Sequence, residues 1–415
     1  MTMRARNLLH VRRALTCSAA MGIVLGAGCD DLTPATGRLQ ATTTPCTPVA
    51  SGGYGAYGGT TTGVTCPDGG ATTGQDAGSL PDTGTNTIVP DAGVTGNVLI
   101  ADQYNNRIIE VTRAGDIVWS FGSGSSVPGP SSIVGPNDAE RLPNGQTLMA
   151  GTGAPQGAEP TCSGNAGCVD NRVLIVDDSS GAIVWQYGTA GVTGNGPNQL
   201  SGPATAVLVP TSGGNDVLIT DQGNQRILEV SQATKKTVWQ FPPASPSADQ
   251  MLVAPNSAQR LTTGNTLITD QGGNRILEVD TTGNVVWQYP TVVDTASLDT
   301  PAFASRLPNG NTLITDSNNK RVIEVDSYAD VAWTYDTTKR SASGNGLPTR
   351  AVRLANGHTL ITESFDDQVI EIDENKNVVY THGQLGAAGS TGSLLNQPYD
   401  AKVVGDYTGL TPPTL

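Results

Sequence analysis

Residues 255–289 read PNSAQRLTTGNTLITDQGGNRILEVDTTGNVVWQY. Three turn signals, TTGN, QGGN and TTGN, divide this stretch into four short runs rich in Thr, Ile, Leu and Val. Such runs between Gly and Asn clusters predict strands. The equivalents of the first turn elsewhere are LPNGQT, LPNGNT and LANGHT. Asn-Gly predicts a hairpin turn with two positive-φ positions. Four antiparallel strands recurring about every fifty residues predict a β-propeller blade.

The aromatic residues measure the repeat. Trp119, Trp185, Trp239, Trp287 and Trp333 hold the same place in five copies, and Tyr380 holds it in the sixth. The first copy, residues 96–122, lacks its first strand, and PYDAKVV at 398–404 has the right frame to supply it. The expected fold is therefore all-β: a six-bladed β-propeller closed by its C-terminal strand and preceded by a disordered linker. The expected divisions are 1–28 signal peptide, 29–95 Thr- and Gly-rich tether, 96–409 propeller and 410–415 tail. The Trp side chains are expected to pack between blades, since large aromatics carry much burial energy.

Two charged columns recur. The first strand carries Arg141, Arg260, Arg306 and Arg353, with Leu208 and Val403 at the same place in the other copies. The third strand carries Glu110, Glu229, Glu278, Glu324 and Glu371, with Ile175 in copy two. Pairing within a blade matches Arg to Glu in three copies, whereas pairing with either neighbour matches four. Salt bridges between blades are expected, in a direction the sequence leaves open.

A third column lies at the end of the second strand: Asp102, Asp221, Asp270, Asp316 and Glu363. Five residues later stand Arg107, Arg226, Arg275 and Arg321, with Gln368 in copy six. An Asp before a loop and an Arg after it can bond across that loop. The other reading is an acidic ring for Ca²⁺, which takes oxygen ligands, although an Arg beside each acid would neutralise such a ring. Asn137, Asp138, Asn256 and Asp400 begin first strands and are candidate polar groups at the mouth of the central channel.

Arg4, Arg6, Arg12 and Arg13 precede a short apolar run ending in LGAGC, a pattern of exported chains. LGAGC resembles the lipobox of bacterial lipoproteins, which implies lipidation at Cys29 and a cell-envelope location, lipid-anchored or secreted. Removing residues 1–28 moves the formal charge from −14 to −18, because four Arg and no acid are lost. So acidic a chain disfavours nucleic acid as a partner. Cys46, Cys66, Cys162 and Cys168 remain, and local disulfides, Cys46 with Cys66 and Cys162 with Cys168, are the simplest arrangement in an oxidising compartment.

The frame A-x-R-L-P-N-G-N-T-L-I-T-D followed by N-R-V-I-E-V-D and V-V-W resembles propeller repeats of the NHL and PQQ-like kinds. Among these it is most similar to the six-bladed bacterial arylsulfotransferases. That family works through channel His residues. This chain has His10 in the signal, His358 in a turn and His382 after an outer strand, so the resemblance does not bring the activity with it. The same shortage disfavours lyases with His-bound zinc and a Ser/His/Asp site. The long connections and the insertion 151–170 fall on one face, and loop-rich faces on rigid scaffolds carry binding. The expectation is a non-catalytic binding or scaffold module without a cofactor. Its ligand on that face would be a protein, a glycan or a small molecule, and it would meet a membrane only through its lipid. The alternatives are a Ca²⁺-dependent hydrolase or lactonase-like enzyme with its site in the channel, and an arylsulfotransferase-like enzyme.

Overall fold

The first turn of blade four shows how the hairpins are built. Gly264 N–H donates to Leu261 O at 2.9 Å, Leu261 N–H donates to Asn265 O at 2.8 Å, and Gly264 has φ +87°. Gly310 and Gly357 repeat this with φ +88°. Their neighbours Asn309 and Asn356 keep negative φ, so the expected turn with two positive-φ residues is corrected. Each of these three hairpins is instead a tight turn followed by a left-handed Gly, which places one extra residue in the ladder.

The computed structural model describes residues 96–158, 162, 167–291, 297–341, 344 and 346–413. These form six four-stranded antiparallel sheets. In blade four the strands follow in order outward from the axis: Pro255–Arg260, Thr266–Asp270, Arg275–Val279 and Val285–Tyr289. Blades two, three, five and six have the same order and begin at Pro136, Pro203, Pro301 and Pro348. Blade one takes its innermost strand, Asp400–Val403, from the C-terminal end, followed by Val98–Asp102, Arg107–Val111 and Ile117–Phe121. Val98 pairs with Val403 and Ala101 with Asp400. The fold is the six-bladed β-propeller expected, with the predicted closing strand. The signal, the tether, Cys29, Cys46 and Cys66 lie outside the described residues.

Every interface between neighbouring blades has its own apolar cluster. Val98, Ile100, Val352 and Val369 pack blade one on blade six; Leu267, Ile276, Ile314 and Ile323 pack blade four on blade five. Each such side chain contributes about 1.5–3 kcal/mol when fully buried.

The charged columns settle the direction left open above. Arg141 bonds Glu110 at 2.5 Å, Arg306 bonds Glu278 at 2.9 Å, Arg353 bonds Glu324 at 3.0 Å, and Arg260 bonds Glu229. Each Arg therefore reaches the preceding blade. Its guanidinium also lies over that blade's aromatic residue, 4.4 Å from Trp119 for Arg141 and 5.0 Å from Trp287 for Arg306. Trp119, Trp239, Trp287 and Trp333 are thus platforms for a cation as well as apolar packing. Three Trp residues also tie the blades by hydrogen bonds, Trp119, Trp185 and Trp239 donating through Nε1 to Asp178 O, Gln232 O and Thr281 O. Between blades two and three, Leu208 meets Ile175 and Trp185 in an apolar cluster.

The chain does not stop at the closing strand. Asp406 Oδ2 accepts from Ala355 N in blade six, and Tyr407 Oη donates to Arg141 O in blade two. Gly409 O accepts from Gln259 Nε2, and Thr411 Oγ1 donates to Arg260 O, both in blade four. Residues 404–413 therefore cross the face that carries the hairpin turns, opposite the long connections. The boundary expected at 409 does not mark the end of the packed chain.

Candidate functional site

Charged side chains of the innermost strands meet in the central channel. Lys402, on the closing strand, donates from Nζ to Asp138 Oδ1 at 2.6 Å, Asp400 Oδ2 at 2.9 Å and Ala139 O at 2.7 Å. Arg350 in blade six stands 3.1 Å from Asp400 and 3.6 Å from Asp138, with its guanidinium 3.6 Å from the centre of the Phe303 ring. Asp138 and Asp400 are each 1% exposed. Each also serves the backbone: Asp138 Oδ2 accepts from Ala206 N and Asp400 Oδ2 from Ala139 N, while Asp400 Oδ1 has no hydrogen-bond partner and lies 3.1 Å from Arg350 Nε. Burial raises the Asp138 carboxyl above its usual range. Asp400 is also penalised by burial, but Arg350 and Lys402 together hold it below.

Glu140 completes the cluster. It is 3% exposed, and its Oε1 has no hydrogen-bond partner. Burial pushes it up to about 7, against the opposing pull of Lys402.

The other two residues expected at the channel mouth are buried as well. Asn137 accepts from Gln103 Nε2 at 2.5 Å. Asn256 accepts from Gln222 Nε2, donates to Ala302 O, and bonds Tyr399 Oη at 2.9 Å. Tyr399 leads into the closing strand of blade one, so this bond joins blades on opposite sides of the axis. The channel is spanned near one end by Tyr399 and Asn256. Its middle holds Lys402, Arg350 and their acids, and residues 404–413 cross its other end.

The acids ending the second strands are distributed around the blades. Asp102 bonds Arg107 at 2.7 Å, Asp221 bonds Arg226 at 2.7 Å, Asp270 bonds Arg275 at 2.8 Å, and Asp316 bonds Arg321 at 2.7 Å. The second carboxylate oxygen accepts a backbone N–H from the incoming connection, at Asn396, Ser201, Val253 and Asp299 respectively. The Arg then donates to carbonyls of the same connection, as Arg107 does to Ser390 O and Leu394 O. Each pair is a clasp that fixes one blade-to-blade connection. Blade two has a clasp that the column did not reveal, Asp170 with Arg172 at 2.5 Å, because the insertion displaces the acid in sequence. Burial raises Asp102, Asp170, Asp221 and Asp270 despite these partners.

Blade six breaks the pattern. Glu363 is fully buried, yet neither of its oxygens has a hydrogen-bond partner. Burial, with Asp366 alongside, pushes it up to about 7. Among the described residues no three His, Cys, Asp or Glu side chains converge into a metal-binding group.

Both His of the propeller belong to blade six and neither joins the channel cluster. His358 Nδ1 bonds Glu371 at 2.8 Å. His382 is 3% exposed, and burial lowers it to about 4. In the insertion, Cys162 and Cys168 stand at disulfide distance, their Cα atoms 5.2 Å apart.

Residues 105–307 match a family model described as outer membrane protein assembly factor BamB. No curated protein matches the chain. Among solved structures it is similar to a protein of unknown function from Bacteroides caccae, with 14% identity over 69% of this chain and 93% of that one and a TM-score of 0.46. It is also similar to a streptogramin B lyase, with 16% identity over 72% and 85% and a TM-score of 0.46. BamB from Moraxella catarrhalis shares 15% identity over 73% and 76%, with a TM-score of 0.35. The chain is a six-bladed β-propeller whose residues 105–307 fit the BamB-type, PQQ-like repeat.

Proposed function

We propose that the chain is an exported, lipid-anchored binding or scaffold module that engages a protein partner through the face bearing the long connections. The observation that carries this reading is the filled channel. Lys402 and Arg350 are bound to Asp138 and Asp400, and the axis is crossed at both ends. A hydrolase in the channel would need carboxylates open to a ligand, and these two are engaged within the protein.

The connection face supplies what a docking surface needs. Val127, Val192, Met251, Val253 and Leu385 are exposed there, each on a blade-to-blade connection. Clasped connections present such side chains with little ordering cost on binding, which favours affinity. Residue 96 lies on the opposite face, beside Val404.

The test is site-specific photo-crosslinking of the full chain in its own cells. Photoreactive residues at Val127, Val192 and Met251 are expected to capture one partner, and one at Tyr328 on the opposite face is expected not to. Capture from Tyr328 alone would sink the docking face. Retention of Cys29→Ser in the membrane fraction would sink the lipid anchor.

A further inference from the structure

Blade six lacks the clasp of its sister blades and keeps the negative charge. At the place of Arg107, Arg226, Arg275 and Arg321 it has Gln368, which pairs in register with Glu363. Gln368 is 5% exposed, and its Oε1 has no hydrogen-bond partner, like both oxygens of Glu363. Asp366, in the loop between them, is 1% exposed and close enough to push the Glu363 carboxyl up. Its Oδ1 accepts from Ser341 Oγ at 2.9 Å. The cation that acts on Glu363 from the incoming connection is Arg340, which lies at the surface. Tyr335 packs near Glu363 from blade five and is pushed up to about 12 by its own burial and by that carboxylate.

A buried carboxylate without hydrogen bonds or a partner is costly. In the sister blades a guanidinium answers that cost and also ties down the connection. Here the unused donors are all oxygens: two from Glu363 and the amide oxygen of Gln368, with Asp366 beside them. Oxygen donors with carboxylate charge are the ligand set of a hard cation. We propose that blade six binds Ca²⁺ through Glu363, Gln368 and Asp366, the ion replacing the guanidinium of the other blades as the tie for the connection into this blade. Two carboxylates balance the ion's charge, and water can complete its coordination. The site is a structural tie and is independent of the docking reading.

The experiment uses the purified full chain freed of metal by a chelator, then titrated with Ca²⁺ alone. Calorimetry is expected to show one saturable site, and the melting temperature is expected to rise by about 5 °C near a hundredfold excess over Kd. Glu363→Gln, which keeps the shape and removes the charge, is expected to lose both effects. A second variant, Glu363→Asp with Gln368→Arg, writes the sister clasp into blade six. It is expected to bind no Ca²⁺ and to melt, metal-free, as high as the loaded wild type. Absence of saturable binding to wild type, or unchanged binding to Glu363→Gln, overturns the proposal. So does a wild type that ignores Ca²⁺ but gains stability on acidification through Glu363, since the carboxyl is then simply protonated.

Discussion

Arg113 Nη1 meets Glu371 Oε2 at 2.5 Å across the seam where the two ends of the chain close the ring. The first-strand place that supplies Arg at four other seams holds Val403 here. Arg113 reaches the same Glu column from the turn after the third strand of blade one, and it lies 4.7 Å from the Tyr380 ring centre. Charge and aromatic platform are therefore kept at the seam by a residue from a different position.

Loss of this pair should be felt by the whole domain. Arg113→Ala leaves Glu371, 3% exposed, with His358 as its remaining side-chain partner. The expected loss is about 3 kcal/mol, in line with breaking a largely buried pair. Denaturant unfolding of Arg113→Ala, Glu371→Ala and the double variant would show coupling. Additive losses would mean the pair contributes nothing beyond its separate parts.

The seam between blades two and three offers the reverse experiment. Leu208 and Ile175 stand where the others have Arg and Glu, and Trp185 supplies the platform. Leu208→Arg alone and Ile175→Glu alone each bury an unpaired charge and should each cost roughly 3–5 kcal/mol. The double variant should recover at least half of the summed loss. Full additivity would show that this seam cannot accept the ion pair.

Ring closure makes a third prediction. A chain ending at Gln397 loses Asp400–Val403 and leaves Val98–Asp102 as an open edge. Unfolding should become broad, with a melting temperature well below that of the full chain, and association should appear in light scattering, since open edges pair with other chains. Melting like the full chain would disprove closure as a stabilising device.

Much of this was legible in the sequence, for a definite reason. Recurring residues display themselves: Trp287, Arg260, Glu278 and Asp270 each stand in a column, and each structural role repeats from blade to blade. What did not recur was hidden. Arg113 lies outside the first-strand frame. Asp138, Arg350 and Asp400 do share one place in that frame, but as complementary charges rather than copies. Only closure of the ring brings Asp400 and Lys402 against Asp138, across more than 260 residues. The turn type differs from the expectation because Asn-Gly also suits a hairpin in which Gly alone is left-handed.

Glu140 gives the chain a pH dependence. Its carboxyl, ordinarily near 4.5, is pushed up to about 7 in the folded chain, chiefly by burial. The folded state thus holds this proton more tightly than the unfolded one. The stabilisation is full below about pH 4.5 and is lost as pH rises through about 7, a change on the order of 3 kcal/mol. In calcium-free buffer Glu363, also pushed up to about 7, adds a share of the same sign. Denaturant unfolding between pH 5 and pH 7.5 should show stability falling, and Glu140→Gln should remove about half of the slope. An unchanged slope in that variant would refute the assignment.

The shared blade also decides how the propeller bears a load. The strand Val98–Asp102 lies between Asp400–Val403 on one side and Arg107–Val111 on the other, antiparallel to both. A pull applied at residue 96 along the strand axis must shear both ladders together rather than open them one bond at a time. The same bonds that close the ring thus also resist a pull on the strand they share.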